Sequence, residues 1–251
     1  MHPNGVLKEF AQELASVVKD IYNASLIEGY FCDALKGSLL NPIPKISPPQ
    51  QIESDLRPIA LTCSLAKVLE GFTRDRLITQ VSHQIDPRQF ARAGHSTTDA
   101  LVYLLQAVYE AVDTGSCGAR LFFADYSKGF DMIDHSVLIE ELRNMHVHPV
   151  LVNWVIAFVC NRTQATRIEN IISEWKTRKG GISQGTKLRV ILFTIMTNNL
   201  LRSWNLRIKF VDDTTALEII PRNSANLLNF VTNDIYAFSE DHRMKLNPTK
   251  C

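Results

Sequence analysis

The spacing of apolar residues predicts helices along most of the chain. An amphipathic helix over residues 7–27 is indicated by five apolar side chains at helical spacing, Phe10, Leu14, Val17, Val18 and Ile21. Similar spacing predicts helices at residues 65–72, 101–112, 137–142, 150–158, 188–200 and 227–238. Ser96 and Asp99 have the spacing of a capping box in front of the helix at 101–112.

Other segments have the patterns of strands. Residues 121–124 form an uninterrupted apolar run that ends at Asp125, which is typical of a strand buried on both faces. Residues 164–168 and 172–177 alternate weakly, as in a hairpin, and residues 206–211 and 214–219 predict two strands joined by a two-residue loop, Asp212 and Asp213. Four prolines force residues 41–49, which include Lys45, to be extended. The order of elements predicts an α+β fold, with helices covering a small antiparallel sheet.

Composition narrows the functional classes only a little. With 27 Lys and Arg against 26 Asp and Glu, the net charge of +1 does not point to nucleic acid, a membrane or an acidic partner. The longest apolar run is far shorter than the roughly 18 residues of a membrane span, and the N-terminal residues do not have the pattern of a secretory signal. We therefore expect an intracellular protein of the cytoplasm or nucleus with no membrane partner, and no protein partner is indicated. Five scattered cysteines without a C-x-x-C pair predict neither a disulfide framework nor a zinc site.

Three carboxylates carry the clearest chemical signal. If the strand that ends at Asp125 lies beside the hairpin of Asp212 and Asp213, the three carboxylates meet at one sheet edge. Like charges at such range favour binding of divalent ions, and oxygen ligands favour magnesium over zinc. Two ions roughly 4 Å apart would hold the attacking and leaving oxygens of a phosphoryl transfer. The alternative is that Asp212 and Asp213 only form a turn, for which aspartate is common.

Several motifs occur in an order that resembles a known family. Residues 125–131 (D-Y-S-K-G-F-D), 181–186 (G-I-S-Q-G-T), 210–213 (F-V-D-D) and 246–250 (L-N-P-T-K) resemble the reverse transcriptases of non-LTR retrotransposons, jockey-like elements in particular. Residues 42–45, 55–59, 89–90 and 96–101 fit the same family. The resemblance implies the fingers and palm of a right-hand polymerase: a helical segment at 1–40, a fingers-like region at 41–120 and a palm-like region at 121–251, with the thumb absent.

The resemblance also implies roles for individual residues. Asp125, Asp212 and Asp213 would hold two Mg²⁺ ions, or Mn²⁺, and Lys250 would protonate the leaving pyrophosphate. The residues implied to bind the nucleotide are Lys45, Arg57, Tyr126, Phe130, Gln184 and Gly185. Lys45 and Arg57 match cations that bind the triphosphate, although each has the alternative of a solvated surface charge. Phe130 matches a steric gate against the ribose 2′-OH, with a core aromatic as its alternative. The expected reaction adds a deoxynucleotide to a DNA primer on an RNA template.

Some features depart from the family pattern and leave other functions open. Ser183 stands where proline is usual and is expected to loosen its loop. Arg189 stands where glycine is usual, which predicts a clash of about 1 kcal/mol or more if that position needs a positive φ or is tightly packed. Asp131 is interpreted as structural, near a helix cap. The ten basic residues within 161–210 are expected either to line a path for template phosphates or to form a solvated surface of mixed orientation. The alternatives to a polymerase are an impaired retroelement remnant that only binds nucleic acid, and a two-metal nuclease or cyclase, which leaves the predicted nucleotide contacts without a role.

Overall fold

The computed structural model describes residues 3–113, 117–221 and 227–251. Its α-helices are α1 (Pro3–Glu9), α2 (Ala11–Glu28), α3 (Ile52–Asp55), α4 (Ser64–Val81), α5 (Thr97–Asp113), α6 (His135–Asn144), α7 (Pro149–Val159), α8 (Arg189–Met196) and α9 (Leu228–Asp241). Its strands are β1 (Ser38–Pro44), β2 (Leu56–Thr62), β3 (Cys117–Ala124), β4 (Thr163–Ile168), β5 (Ile171–Ile172), β6 (Lys176–Thr177), β7 (Arg207–Phe210) and β8 (Asp213–Pro221). They form two compact units, the first from Met1–Val81 and Ile139–Arg189 and the second from Ser82–Leu138 and Val190–Cys251.

The first unit contains a mixed sheet in the order β2-β1-β4-β5, with β6 also paired to β4. β1 runs antiparallel to β2 along its whole length and parallel to β4 only over Ser38, Leu39 and Leu40. In the same unit, helix α2 contacts helix α7.

Aromatic rings form much of the core of the first unit. Phe31 meets the rings of Trp154 and Phe158 edge-on, at centroid distances of 5.3 and 5.2 Å, and Trp154 stacks on Phe158. Each of these three side chains is at most 1% exposed, and burying one contributes about 2–3 kcal/mol. The indole N–H of Trp154 donates to the hydroxyl of Ser25, so its polar atom is also satisfied.

The second unit contains an antiparallel sheet in the order β3-β8-β7, contacted by α5. The β3–β8 ladder is eight residue pairs long, from Cys117 opposite Pro221 to Ala124 opposite Thr214. Helix α5 begins with the predicted capping box: the backbone N–H of Ser96 donates to Asp99, and the backbone N–H of Asp99 donates to the Ser96 hydroxyl.

A buried ion cluster holds the outer edge of this second sheet. Asp86 accepts hydrogen bonds from Arg207 through both carboxylate oxygens and forms an ion pair with Lys209 at 2.9 Å. Lys209 also donates to the carbonyls of Thr197 and Asn198. Burial raises the pKa of Asp86, but the hydrogen bonds from Arg207 and the charge of Lys209 outweigh it, so the pKa lies well below its usual range.

The basic tract at 161–210 therefore does not form one solvated surface. Arg207 and Lys209 are buried in the cluster with Asp86, and Arg162 is also buried, with its guanidinium over the Phe158 ring and one N–H donated to the Phe158 carbonyl. The expectation that all ten residues line a path for template phosphates is wrong for these three, because each is held inside its unit by fixed acceptors.

The α+β class is confirmed, with several local differences from the sequence-based prediction. The helix predicted at 7–27 is divided at Phe10, where ψ is 31°. Strand β3 is not buried on both faces: Leu121 and Phe123 share a face and are 38% and 56% exposed. Among the described residues, no helix has both the length and the apolar character needed to span a membrane.

Candidate active site

The register of the second sheet brings Asp125 beside Asp213. Asp125 directly follows Ala124, which lies opposite Thr214, and Asp213 is the first residue of β8. The two strands are therefore neighbours in the sheet, which is the condition under which these two carboxylates were predicted to meet. Burial and then the Asp125 charge raise the pKa of Asp213, while Lys250 acts in the opposite direction.

Asp212 lies in the tight turn between β7 and β8. Because Phe210 pairs with Asp213, the loop consists of Val211 and Asp212, one residue earlier than predicted. Asp213 belongs to strand β8, because it pairs with Phe210, the last residue of β7. Val211 has a φ of 58°, the left-handed region that β-branched residues rarely adopt. Asp212 is half-buried.

The C-terminal segment holds Asp125 in place. The backbone N–H of Asn247 donates to the Asp125 carbonyl at 2.9 Å, and its side-chain amide donates to Asp125 Oδ2 at 3.0 Å. Lys250 Nζ lies 3.6 Å from the same oxygen on a side chain that is 68% exposed. Asn247 was not among the predicted site residues, although its position in the L-N-P-T-K turn was a signal, since asparagine commonly stabilises turns through its side chain.

Tyr126 and Phe130 are both buried in the second unit. The Tyr126 hydroxyl lies 3.3 Å from the Ser239 hydroxyl, and burial raises the pKa of Tyr126 to about 12. Phe130 is 6% exposed, and its ring centroid lies 4.6 Å from that of Phe193. Both placements are those of core aromatics, and the nucleotide-binding roles of these two residues stay predictions. Asp134, three residues after Asp131, caps α6 by accepting from the backbone N–H groups of Ser136 and Val137.

The other predicted nucleotide contacts lie in the first unit. Lys45 directly follows β1, and its ammonium donates to the carbonyl of Ser54 at 2.7 Å. Arg57 lies on β2 opposite Ile43. Both cations are exposed, so their charged groups are accessible to an anionic ligand.

The loop of Gln184 and Gly185 lies directly against β2. The backbone N–H of Ala60 donates to the Gln184 carbonyl at 2.8 Å. Gly185 has a φ of 107°, and a Cβ at this position would lie 2.7 Å from the Ala60 carbonyl oxygen. Glycine is thus required here by both its φ and the close approach of the neighbouring backbone.

Ser183 is restrained in this loop by hydrogen bonds. It is 2% exposed, its hydroxyl accepts from the guanidinium of Arg178 at 2.6 Å, and its carbonyl accepts from the Thr186 hydroxyl. A charge-assisted hydrogen bond thus restrains the position where a proline ring would restrict φ.

A buried glutamate, not predicted from the sequence, supports the end of the same loop. Glu70 on α4 accepts from the backbone N–H of Lys187 at 2.6 Å and, more weakly, from that of Leu188. Burial raises the pKa of Glu70, against the effect of these hydrogen bonds. Arg189 is the first residue of α8 and its φ is not positive, so the positive-φ condition under which a clash was predicted is not met.

A comparison with protein families identifies the chain. The model of the family described as "Reverse transcriptase (RNA-dependent DNA polymerase)" matches residues 43–251. The chain belongs to the reverse transcriptase family. The match includes the carboxylates of the second unit and the loop of Gln184 and Gly185 in the first, and it confirms the resemblance drawn from the motifs.

The curated relatives of this reverse transcriptase chain come from insect transposons. It is 27% identical over 201 residues to the probable RNA-directed DNA polymerase from transposon BS of Drosophila melanogaster, which covers 78% of this chain and 22% of the relative. It is also 27% identical over 183 residues to the RNA-directed DNA polymerase from mobile element jockey of the same organism, covering 72% of this chain and 20% of the relative. The chain thus spans about a fifth of the length of these relatives.

Telomerases are among the solved structures with a similar fold. Apo telomerase from Candida tropicalis matches 95% of this chain and 49% of its own, with a TM-score of 0.64 and 12% identity. Telomerase from Candida albicans, in complex with a TWJ fragment of telomeric RNA, matches 92% of this chain and 45% of its own, with a TM-score of 0.60 and 14% identity. These likenesses confirm the fold of a reverse transcriptase with fingers and palm.

Reverse transcriptases use divalent metal ions, and the donor groups of this chain fit such ions. Asp125, Asp212 and Asp213 provide hard carboxylate oxygens, and the repulsion that Asp213 experiences from Asp125 is what a cation would relieve. In the part of the chain that the structure describes, however, no three His, Cys, Asp or Glu side chains are close enough to hold an ion.

Proposed function

We propose that this chain is the fingers and palm of an RNA-directed DNA polymerase from a jockey-like non-LTR retrotransposon. It adds a deoxynucleoside monophosphate to the 3′-OH of a DNA primer on an RNA template and releases pyrophosphate. The observation that carries the proposal is the β3–β8 register, which puts Asp125 beside Asp213 with Asp212 in the adjoining turn. We assign residues 1–40 to a helical segment, 41–120 to the fingers and 121–251 to the palm.

In this proposal the three carboxylates of the second unit hold two Mg²⁺ ions, which Mn²⁺ can replace. When bound, the ions lower the pKa of the primer hydroxyl and neutralise the triphosphate. Lys250 donates a proton from Nζ to the leaving pyrophosphate; its ammonium is exposed and lies 3.6 Å from Asp125. The groups assigned to the triphosphate, sugar and base of the nucleotide are Lys45, Arg57, Tyr126, Phe130, Gln184 and Gly185.

The test is primer extension by the chain on an RNA template with Mg²⁺ or Mn²⁺. Asp212→Asn removes one metal-binding charge while keeping the size of the side chain, and metal stabilisation of several kcal/mol predicts a loss of about 10³-fold or more in rate. Asp241→Asn, the same substitution at an exposed site in α9, is the control and should extend like the parent. Equal extension by Asp212→Asn and the parent would contradict the assignment.

A second candidate is a chain that binds nucleic acid without catalysis. It is favoured by the absence of a preassembled group of three metal-binding side chains among the described residues. Binding of a labelled RNA whose affinity falls as salt rises, without nucleotide incorporation in either metal, would support this candidate over the polymerase. Incorporation that requires Asp212 would exclude it.

A further inference from the structure

A buried glutamine links a distant segment to the turn that carries Asp212. Gln89 is 1% exposed, and its Oε1 accepts from the backbone N–H of Val211 at 3.2 Å and from that of Ala91 at 3.0 Å. Val211 is the residue directly before Asp212. The glutamine therefore contacts the turn through the peptide unit that precedes this carboxylate.

The backbone on both sides of Gln89 is fixed to the same sheet. Gln89 forms a parallel bridge with Lys209; the N–H of Lys209 donates to the Arg88 carbonyl, and the N–H of Phe90 donates to the Lys209 carbonyl. Three residues earlier, Asp86 joins the buried cluster with Lys209. Because its own backbone is held by these contacts, the Gln89 side chain is a stable anchor for the turn.

The turn needs such an anchor because its conformation is unfavourable for its sequence. Val211 has a φ of 58°, and a β-branched residue in this region persists only when its surroundings hold it there. Without the acceptor on Gln89, Val211 would relax towards an extended φ, and the direction of the Asp212 side chain would change.

The choice of glutamine at this buried position also has a chemical explanation. Its Nε2 is buried and has no hydrogen-bond partner in the described part of the chain, which is unfavourable for an amide. An apolar side chain of similar length would fill the space without this defect. The Oε1 contacts to two backbone N–H groups are what glutamine provides and an apolar residue does not.

We propose that Gln89 is a positioning residue, which holds the turn of Val211 and Asp212 so that the Asp212 carboxylate can join a divalent metal ion. This inference rests on the proposed function for the role of Asp212. It does not make Gln89 a metal ligand or a substrate contact.

The test compares Gln89→Met, which keeps the length but removes the acceptor, with Gln89→Glu, which keeps an acceptor oxygen. We measure hydrogen exchange of the Val211 amide, Mn²⁺ binding from the EPR signal of the free ion, and primer extension. Gln89→Met should exchange at least about tenfold faster at Val211 and bind Mn²⁺ about three- to tenfold more weakly. Its kcat should fall about tenfold while the KM for the nucleotide stays within about twofold. In Gln89→Glu, the Val211 amide should exchange about as slowly as in the parent.

Two control variants separate positioning from a general loss of structure. Gln106→Met makes the same change on the exposed face of α5 and should behave like the parent. Val231→Ala truncates a buried residue of α9, and it should lower stability without changing Mn²⁺ affinity in the folded protein. If Val231→Ala weakens Mn²⁺ binding as much as Gln89→Met, the effect is general destabilisation and the proposal is overturned.

The metal and exchange measurements decide the inference even if the chain does not polymerise. A parent chain that binds Mn²⁺ through Asp212 but incorporates no nucleotide would contradict the proposed function, and weaker binding by Gln89→Met would still support positioning. Unchanged exchange at Val211, unchanged Mn²⁺ affinity in Gln89→Met, or no Mn²⁺ binding by the parent would each overturn it.

Discussion

Replacement of Gly185 by alanine tests whether close backbone contact fixes the loop of Gln184 and Gly185. The added Cβ would lie 2.7 Å from the Ala60 carbonyl oxygen, which is 0.7 Å short of the 3.4 Å at which ordinary contact begins. That oxygen belongs to strand β2 and cannot rotate away as a side chain would. The loop must therefore move away from β2, and we expect Gly185→Ala to destabilise the protein.

The magnitude is the sum of two effects. Holding alanine at a φ of 107° costs about 1–3 kcal/mol. The displacement also pulls the Gln184 carbonyl from the Ala60 N–H, now 2.8 Å away, and loss of that hydrogen bond costs about 1 kcal/mol. We expect the free energy of unfolding to fall by about 2–4 kcal/mol.

Urea unfolding followed by tryptophan fluorescence measures this change, and Gly94→Ala is the matched control. Gly94 also has a positive φ, 78°, but a Cβ there would have no neighbour within 4 Å. Gly94→Ala should therefore cost only the strain of its φ, about 1–2 kcal/mol. In Gly185→Ala, hydrogen exchange at the Ala60 amide should also become faster. If Gly185→Ala is no more destabilising than Gly94→Ala and leaves that exchange unchanged, the close approach to β2 does not restrain the loop.

Two further substitutions test the buried polar contacts. Asp86→Asn leaves two buried cations without their carboxylate and should lower the free energy of unfolding by about 3–5 kcal/mol in urea titrations at pH 7. Because the folded-state pKa of Asp86 is lowered, its stabilisation is present above the unfolded pKa of about 4 and is lost as pH falls below that value. Below about pH 4 the free energy of unfolding of the parent should therefore fall more steeply than that of Asp86→Asn. Parallel curves of unfolding free energy against pH would contradict this prediction. Ser183→Ala removes the acceptor for Arg178 and should cost about 1.5–3 kcal/mol, whereas unchanged thermal unfolding would show that this contact does not hold the loop.

The helices and the hairpin of β7 and β8 were predictable because their signals are local. Apolar spacing indicated the helices, and the Ser96–Asp99 box indicated where α5 begins. The predicted hairpin loop differs from the observed one by a single residue. The difference arises because a strand–turn–strand pattern does not specify which residue pair is the last before the turn. Adjacency of β3 and β8 was not available from spacing, because some 90 residues separate Asp125 from Asp213; only the family resemblance indicated it.

The pairing of β1 with β2 was not predicted, because the prolines of residues 41–49 indicate extended backbone, in a strand or an arm, without specifying a partner strand. Pro42 lies opposite Pro58, so neither residue donates a backbone hydrogen bond at that pair. The pairing of β1 with β4 ends at Leu40, so Pro42 lies on a part of β1 that is paired on one side only, where proline is tolerated. An extended, proline-rich segment is thus compatible with a strand at this edge.

The supporting residues could not be predicted because each acts on a segment far along the chain. Glu70 binds the backbone of Lys187, 117 residues later, and Gln89 binds that of Val211, 122 residues later. Each side chain accepts from a backbone N–H, a group that every residue except proline carries. The sequence of the partner segment therefore contains no sign of the contact.

The position of the carboxylates at the end of the longest ladder has an energetic consequence. Repulsion between Asp125 and Asp213 tends to separate β3 from β8, and it is opposed by the backbone hydrogen bonds of the eight pairs that end at Ala124 and Thr214. On its other side Asp125 is held by Asn247, which donates to both its carbonyl and its carboxylate. The sheet can thus keep two like charges close together before any cation arrives.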